Sequence, residues 1–378
     1  MNPSIALYIH LPFCQRKCHY CSFTSYQYRE TDIPVYLEAL KAELAQRSDG
    51  EHLHSIYLGG GTPSLLNAEQ ISDILAITDS LFTLEHNLEI SIEANPGTIS
   101  TRYLADIKEL GINRLSLGVQ SLNDTELTLM GRIHNGRDAR DAMRSARGAG
   151  FTNLNIDLIY GVPGQTLATW QKTLEEVIGM APEHLSLYAL SLEGNTAISR
   201  AFEDGSLPAI DPDISVDQYE LADNLLTKHG YRHYEISNWA QPGQESRHNL
   251  TYWQNQPYLG IGVASHSSLN NHRLANTSSL DDYLNSFSKK SPVKPQMVEE
   301  IDNKLQLAET VILGLRLDRG INLDDIRHRF SVDVTSYFGQ QISQLVDLGL
   351  LECSDRDLKL TPRGRLLSNE VFWRFLPE

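Results

Sequence analysis

Residues 6–23 read ALYIHLPFCQRKCHYCSF, an apolar run that breaks into a loop holding Cys14, Cys18 and Cys21. The apolar part, near Ala6 to His10, has the length and composition of a buried strand. The loop gathers three of the chain's 4 cysteines. A strand that ends in a reactive loop is the unit on which the rest of the chain is built. Further strands are expected near Ser55–Leu58, Leu88–Glu93, Arg114–Val119, Asn153–Ile159 and His184–Leu190. Between them lie segments such as VYLEALKAEL from Val35 and ATWQKTLEEVIGM from Ala168, where apolar residues recur at three and four positions, as on one face of a helix. Strand-then-helix units in series imply right-handed crossovers and a parallel sheet. The fold class is α/β, with a partial, open (β/α)6 barrel as first expectation. A doubly wound sheet is the alternative, and a full eight-fold barrel lacks two units.

The polar oddities of this map fall just after strands: the cysteine loop, Gly59-Gly60-Gly61-Thr62-Pro63, Glu93-Ala94-Asn95-Pro96, Gln120-Ser121, and Asp157 late in its strand. Ligands of parallel α/β folds sit at the C-terminal strand edge, where the following loops are free to vary. One shared site is expected there.

Bulk composition narrows the chemistry. The chain has 378 residues, 41% hydrophobic and 21% charged, enough for a large core and a second, smaller unit. Its formal net charge of -16 opposes nonspecific binding to nucleic acid or anionic membranes, so a small-molecule or protein partner is expected. No apolar run is long enough to span a bilayer, and MNPSIALYIHLPFC lacks the basic start and long apolar stretch of a signal peptide. A cytoplasmic location is expected. Clustered cysteines in a low-cysteine chain point to a reducing compartment and a metal or redox role.

The C-x3-C-x2-C spacing lets one loop wrap a metal centre. Zinc would need a further ligand, such as His10 or His19, and structural zinc sites usually come as two separated ligand pairs. A [4Fe-4S] cluster normally takes one cysteine per iron. Here the remaining cysteine, Cys353, lies far along the chain, which leaves one iron open to a bidentate small molecule. Three free thiols placed by chance are the bland alternative.

With GGGTP after the second strand, this spacing resembles the radical S-adenosylmethionine (SAM) superfamily. The resemblance implies that SAM chelates the open iron and that an electron from the cluster can cleave its sulfonium bond. YIHLPFC, GGGTP, EANPGT, GVQS, MGRIH and NIDLIYGVPGQT narrow it to the oxygen-independent coproporphyrinogen III oxidase-like group, which includes HemW-type haem chaperones; the likeness covers residues 5 to 270. Carried over motif by motif, it implies that Tyr8 and Tyr20 pack near cluster-bound SAM. Gly60, Gly61 and Thr62 would contact it, and Glu93 would hold the ribose hydroxyls, an ionised carboxylate being a strong acceptor for a diol. Gln120, Arg132 and Asp157 match positions that contact a second SAM in the dehydrogenase members. For Glu93 and Asp157, a carboxylate amid apolar residues is costly unless paired. Arg132 also reads as a solvated helix-end charge, Gln120 as a strand cap, and GVPGQ as a turn.

RHNLTYW, residues 247–253, matches the H-N-x-x-Y-W motif associated with haem in this group. It implies His248 as the axial ligand of haem iron, Tyr252 and Trp253 as cover for the porphyrin face, and Asn249 as a hydrogen-bonding support of the ring. The same residues also read as an ordinary packed, hydrogen-bonded histidine. His266 is a competing ligand. Cluster and haem would share one barrel mouth, an arrangement that couples occupancy to a homodimer.

Two features separate the chain from the dehydrogenases in this resemblance: Phe23 stands where they carry a further cysteine, and the segment before Cys14 is short. The expected function is that of a haem chaperone with a three-cysteine [4Fe-4S] cluster, exchangeable SAM and a haem-acceptor protein as partner, reached by peripheral contact with membrane proteins and without nucleic acid. Coproporphyrinogen dehydrogenation is the alternative, and a radical enzyme of another class, such as a methyltransferase, the third.

Three segments are expected: 1–285 as the barrel with an extension carrying HNLTYW, 286–300 as a linker around SFSKKSPVKPQ, and 301–378 as a smaller α+β, winged-helix-like unit. In the last, Lys and Arg are balanced by acids, so packing or protein contact is expected over DNA binding. Cys353 reads there as a small buried apolar residue.

Overall fold

The structure is a computed structural model that describes residues 4–27, 30–194, 196–209, 211–288 and 295–377. Six strands, β1 (Ser4–Leu11), β2 (His52–Gly60), β3 (Thr83–Ala94), β4 (Arg114–Gln120), β5 (Leu154–Tyr160) and β6 (His184–Ala189), lie side by side in chain order. All five pairings are parallel. They alternate with helices α1 (Asp32–Arg47), α2 (Ala68–Leu81), α3 (Thr101–Glu109), α4 (Gly136–Gly148), α5 (Leu167–Gly179) and α6 (Pro212–Lys228). The order never reverses within β1–β6, so there is no switch point of a doubly wound sheet. The fold is the partial (β/α)6 barrel with a smaller α+β unit.

Parallel sheets covered by helices usually carry apolar residues on both faces. These strands instead alternate. Ile56, Leu58, Ile92, Leu115, Leu117, Leu154, Ile156, Leu158, Leu185 and Leu187 belong to the main apolar core with the helices. The residues between them, Ser55, Ser91, Ser116, Asn155, His184 and Ser186, are buried and polar. They meet one another: Asn155 Nδ2 donates to Ser116 Oγ (2.8 Å), and Ser186 Oγ donates to Asn155 Oδ1 (3.1 Å). The period of two thus separates an outer apolar face from a polar lumen. Local caps fix the helix starts; Asn67 and Gln70 form a reciprocal capping box on α2, and Asn135 with Asp138 does so on α4.

The sheet continues past both ends of the barrel. Tyr258–Ile261 pairs in parallel with β1, followed by antiparallel strands His266–Leu269, His272–Ala275 and Gln296–Glu300. On the other side Asn238–Ala240 pairs with β6, and Arg232–Glu235 with it. These strands after Leu190 are three to five residues long and carry too little periodicity to register in the sequence. Part of the expected linker, 289–294, lies outside the described residues. Its last part is not linker: Gln296–Glu300 is a strand bonded to His272–Ala275.

Beyond Ile301 a second core gathers Leu307, Val311, Phe338, Leu345, Leu358 and Phe375. It lies under helices such as Asn303–Gly314 and Gly339–Asp347 and a three-stranded antiparallel sheet. Cys353 corrects the expectation of burial: it is exposed. It closes the short strand Leu351–Cys353 just before a turn, and its Sγ faces only Ser354 O.

Candidate functional site

The loop after β1 is fastened to the glycine turn after β2. Gly61 N donates to Leu11 O (2.9 Å), Thr62 N to Phe13 O (2.8 Å), and Thr62 Oγ1 lies 3.5 Å from Cys14 Sγ. The approach is too close for side chains. A Cβ on Gly61 would stand 2.7 Å from Phe13 O, and one on Gly60, whose φ is +117°, 2.6 Å from the His10 ring. His10 in turn bridges Tyr8 OH (2.9 Å) and Thr24 O (2.9 Å), tying β1 to the far side of the cysteine loop.

The other flank is held by residues 129–132. His19 N donates to Met130 O (3.0 Å), and His19 Nδ1 bonds Leu129 O (2.9 Å). Arg16 donates to the carbonyls of Gly131 (2.8 Å) and Arg132 (2.7 Å). Arg132 points inward. Its guanidinium donates to Gly118 O (2.6 Å) and stands 3.3 Å from Cys18 Sγ and 3.4 Å from Tyr20 OH. The solvated helix-end reading of Arg132 therefore fails.

Burial raises the Cys14 and Cys21 thiols above their ordinary range, and the nearby Cys18 adds to both. Among the described residues no three His, Cys, Asp or Glu side chains converge tightly enough to hold a single metal ion.

Glu93 ends β3 in the lumen, accepting from Tyr57 OH (2.8 Å) on one oxygen and Gly60 N (3.0 Å) on the other. Burial, with Asp157 adding to it, pushes its carboxyl up to about 7. Asp157 accepts from Ser116 Oγ (3.1 Å) and Asn155 Nδ2 (2.8 Å), and burial raises it too. Burial and the Glu93 charge hold the Tyr8 hydroxyl neutral, and burial does the same for Tyr20. Gln120 is no simple strand cap. It holds φ at 68°, strained for a residue with a side chain, and its Oε1 is buried with no partner. Arg132 Nε is likewise unpartnered. Orphaned polar atoms of this kind at a strand edge fit a ligand that supplies the missing bonds.

The structure thus brings together Tyr8, Cys14, Cys18, Tyr20, Cys21, Gly60, Gly61, Thr62, Glu93, Gln120, Arg132 and Asp157 around the C-terminal ends of β1–β5. His248 is not among them. It lies in α7 (Arg247–Trp253), whose N-terminus is held by Glu89 through Arg247 N (3.1 Å) and His248 N (3.0 Å). Thr251 bonds His54 (2.8 Å), and Ser55 bonds His248 Nδ1 (3.0 Å). Ser55 and Glu89 are register partners within β2 and β3, before the strand ends that carry the glycine turn and Glu93, so α7 closes the barrel floor below those ends.

His248 is 1% exposed, and its Nε2 bonds Tyr252 OH (2.9 Å), so neither ring nitrogen is free. The expected axial ligand thus has both ring nitrogens hydrogen-bonded within the protein. Burial pushes its pKa down to about 3. The expected support of its ring by Asn249 is also replaced, by Ser55 and Tyr252. His266, the competing ligand, begins its strand as an exposed residue. Sequence reading missed Tyr57 and the clamps Arg16 and His19; for Tyr57 the signal was present, since it shares strand parity with Ser55 and Gly59.

A model of the radical SAM superfamily matches residues 8–177, and one of the HemN C-terminal domain matches residues 301–367. The chain is 36% identical to the Heme chaperone HemW of Lactococcus lactis over 98% of its own length and 96% of that protein. This chain belongs to the HemW family of radical SAM proteins. The family's namesake in Bacillus subtilis is 34% identical over 98% of this chain and 99% of its own. Bovine mitochondrial radical S-adenosyl methionine domain-containing protein 1 is 33% identical over 95% and 84%. Among solved structures, coproporphyrinogen III oxidase (HemN) from Escherichia coli, a radical SAM enzyme, superposes with a TM-score of 0.87 at 26% identity, covering 99% of this chain and 90% of that one. Among the described residues, no helix is long and apolar enough to cross a membrane.

Proposed function

We propose that this chain is a haem chaperone that carries a [4Fe-4S] cluster on Cys14, Cys18 and Cys21, binds SAM exchangeably at the open iron, and passes haem to an acceptor protein. The observation that carries this reading is the missing fourth thiol: Cys353 is exposed in the second unit, while Cys14, Cys18 and Cys21 share one clamped loop. When bound, the cluster supplies one electron and a coordination position for the amino and carboxylate groups of SAM. The chain's own residues do the holding. The glycine turn at Gly60, Gly61 and Thr62 offers backbone groups without side chains in the way. Glu93 keeps lone pairs for a ribose diol, Tyr8 and Tyr20 flank the nucleotide, and Gln120, Arg132 and Asp157 bring orphaned or charged atoms to the same lumen. Arg132 also sets a donor 3.3 Å from Cys18 Sγ. Relatives named as haem chaperones over nearly the full chain support the cargo. Ligation of haem iron by His248 belongs to this reading only after Ser55 and Tyr252 release the ring.

The test is anaerobic reconstitution with iron and sulfide, then electron paramagnetic resonance with and without SAM and a haem titration. A cubane signal that shifts with SAM, together with saturable haem uptake, is expected. Zinc in place of iron, or no haem uptake, ends the proposal.

The likeness to coproporphyrinogen III oxidase favours one second reading, dehydrogenation of coproporphyrinogen III. Against it, Phe23 replaces the further cysteine of the enzyme group and is 69% exposed beside the loop. Reduced, anaerobic protein that forms no protoporphyrinogen from coproporphyrinogen III excludes it.

A further inference from the structure

We infer that His248 is a positioning residue of the nucleotide pocket, acting through Tyr57 on Glu93. The inference rests on the assignment of Glu93 to SAM in the proposed function, and adds the floor helix to that site.

The imidazole stacks on the Tyr57 ring, with centroids 4.9 Å apart and planes at 28°. Both of its nitrogens are fixed from outside the stack, one by Ser55 and one by Tyr252, so the ring can neither tilt nor flip without losing a bond. Tyr252 is itself held edge-on by Tyr258 at 4.7 Å. Tyr57 also meets Tyr8 at 6.2 Å, with planes at 25°, and Tyr8 lies 6.4 Å from the His248 ring, so the three rings pack as one cluster. Gly59 shuts the remaining gap, since a Cβ there would stand 2.8 Å from the Tyr57 ring and 3.0 Å from Tyr8.

Tyr57 therefore has one place to be. From that place its hydroxyl donates to Glu93 Oε1 at 2.8 Å. Gly60 N holds the other oxygen at 3.0 Å, and together the two donors set the plane of the carboxylate. Each carboxylate oxygen keeps a further lone pair for a diol, aimed by that plane. A strut needs both ends fixed, and His248 has both.

The test compares Tyr57→Phe, which keeps the ring and removes one oxygen, with His248→Ala and with Thr251→Val, which strips the neighbouring bond to His54 from the same helix. In cluster-loaded protein, equilibrium dialysis with SAM should show roughly tenfold weaker binding in Tyr57→Phe and His248→Ala, a bond to a charged group being at stake. Thr251→Val should bind as wild type does. Thermal melts and a haem titration run alongside. Undiminished SAM affinity in Tyr57→Phe, or in a folded His248→Ala, overturns the inference, and the second with haem lost makes His248 an iron ligand only. If His248→Ala does not fold, Tyr57→Phe decides. A wild type that binds no SAM defeats the pocket assignment itself, before any variant is compared.

Discussion

Glu93 should make SAM binding depend on pH near neutrality. Its carboxyl is displaced from 4.5 to about 7, chiefly by burial. That displacement corresponds to about 3 kcal/mol between the two protonation states. A group whose native pKa is raised favours the fold below its unfolded value and loses that contribution as pH rises through the native one, so the ligand-free protein should lose stability between pH 4.5 and about 7. A diol that donates to the carboxylate favours the ionised form and reverses the penalty. SAM should therefore bind more tightly as pH rises, with an apparent affinity about tenfold lower one unit below the pKa than well above it. The assay is equilibrium dialysis of anaerobic, cluster-loaded protein at pH 6 and pH 8, with Glu93→Gln in parallel. Protonation of the ligand's own amino group affects both proteins alike and cancels in the ratio. Wild type should show the steeper pH dependence, and Glu93→Gln should bind weakly at both values. Equal pH slopes in the two proteins would refute the reasoning.

Gly61→Ala forces a Cβ to within 2.7 Å of backbone at Pro12 and Phe13, and should cost about 1–3 kcal/mol in chemical denaturation while lowering iron uptake, since the cysteine loop must shift. Arg132→Met removes the cation 3.3 Å from Cys18 and the donor to Gly118 O; iron per chain after reconstitution should fall, and a full complement of iron with unchanged spectra would count against the clamp. Glu43 is 1% exposed and bonds Arg47 (3.1 Å), Tyr283 (2.7 Å), Asn276 (2.7 Å) and Gly262 N (2.9 Å), so Glu43→Ala should cost about 3–5 kcal/mol in urea unfolding by leaving a buried arginine unpaired. A loss under 1 kcal/mol, roughly the worth of an exposed pair, would show that this network does not hold α1 to the sheet.

The repeat of strand and helix, the cysteine spacing and the polar residues at strand ends could be read without a structure, because each is a local pattern whose period follows from backbone geometry. LEISIE and LNIDLI already announce one apolar and one polar face. The short strands after Leu190 did not announce themselves, being three to five residues long and recruited by an edge that β1 and β6 provide. Cys353 misled because a thiol is usually buried, while its actual place, at the end of a strand of three residues, depends on where the next turn leaves the sheet.

The chain by itself therefore determined the barrel, the clustered thiols and the edge on which the lumen residues lie. What tertiary structure decided is which atoms remain available. His248 is spoken for by Ser55, 193 residues away in sequence, and Glu93 is aimed by a tyrosine 36 residues before it. A motif can nominate an imidazole, but its lone pairs are counted only after distant strands have closed around it. That is why a local motif names the histidine and only the closed fold names its partners.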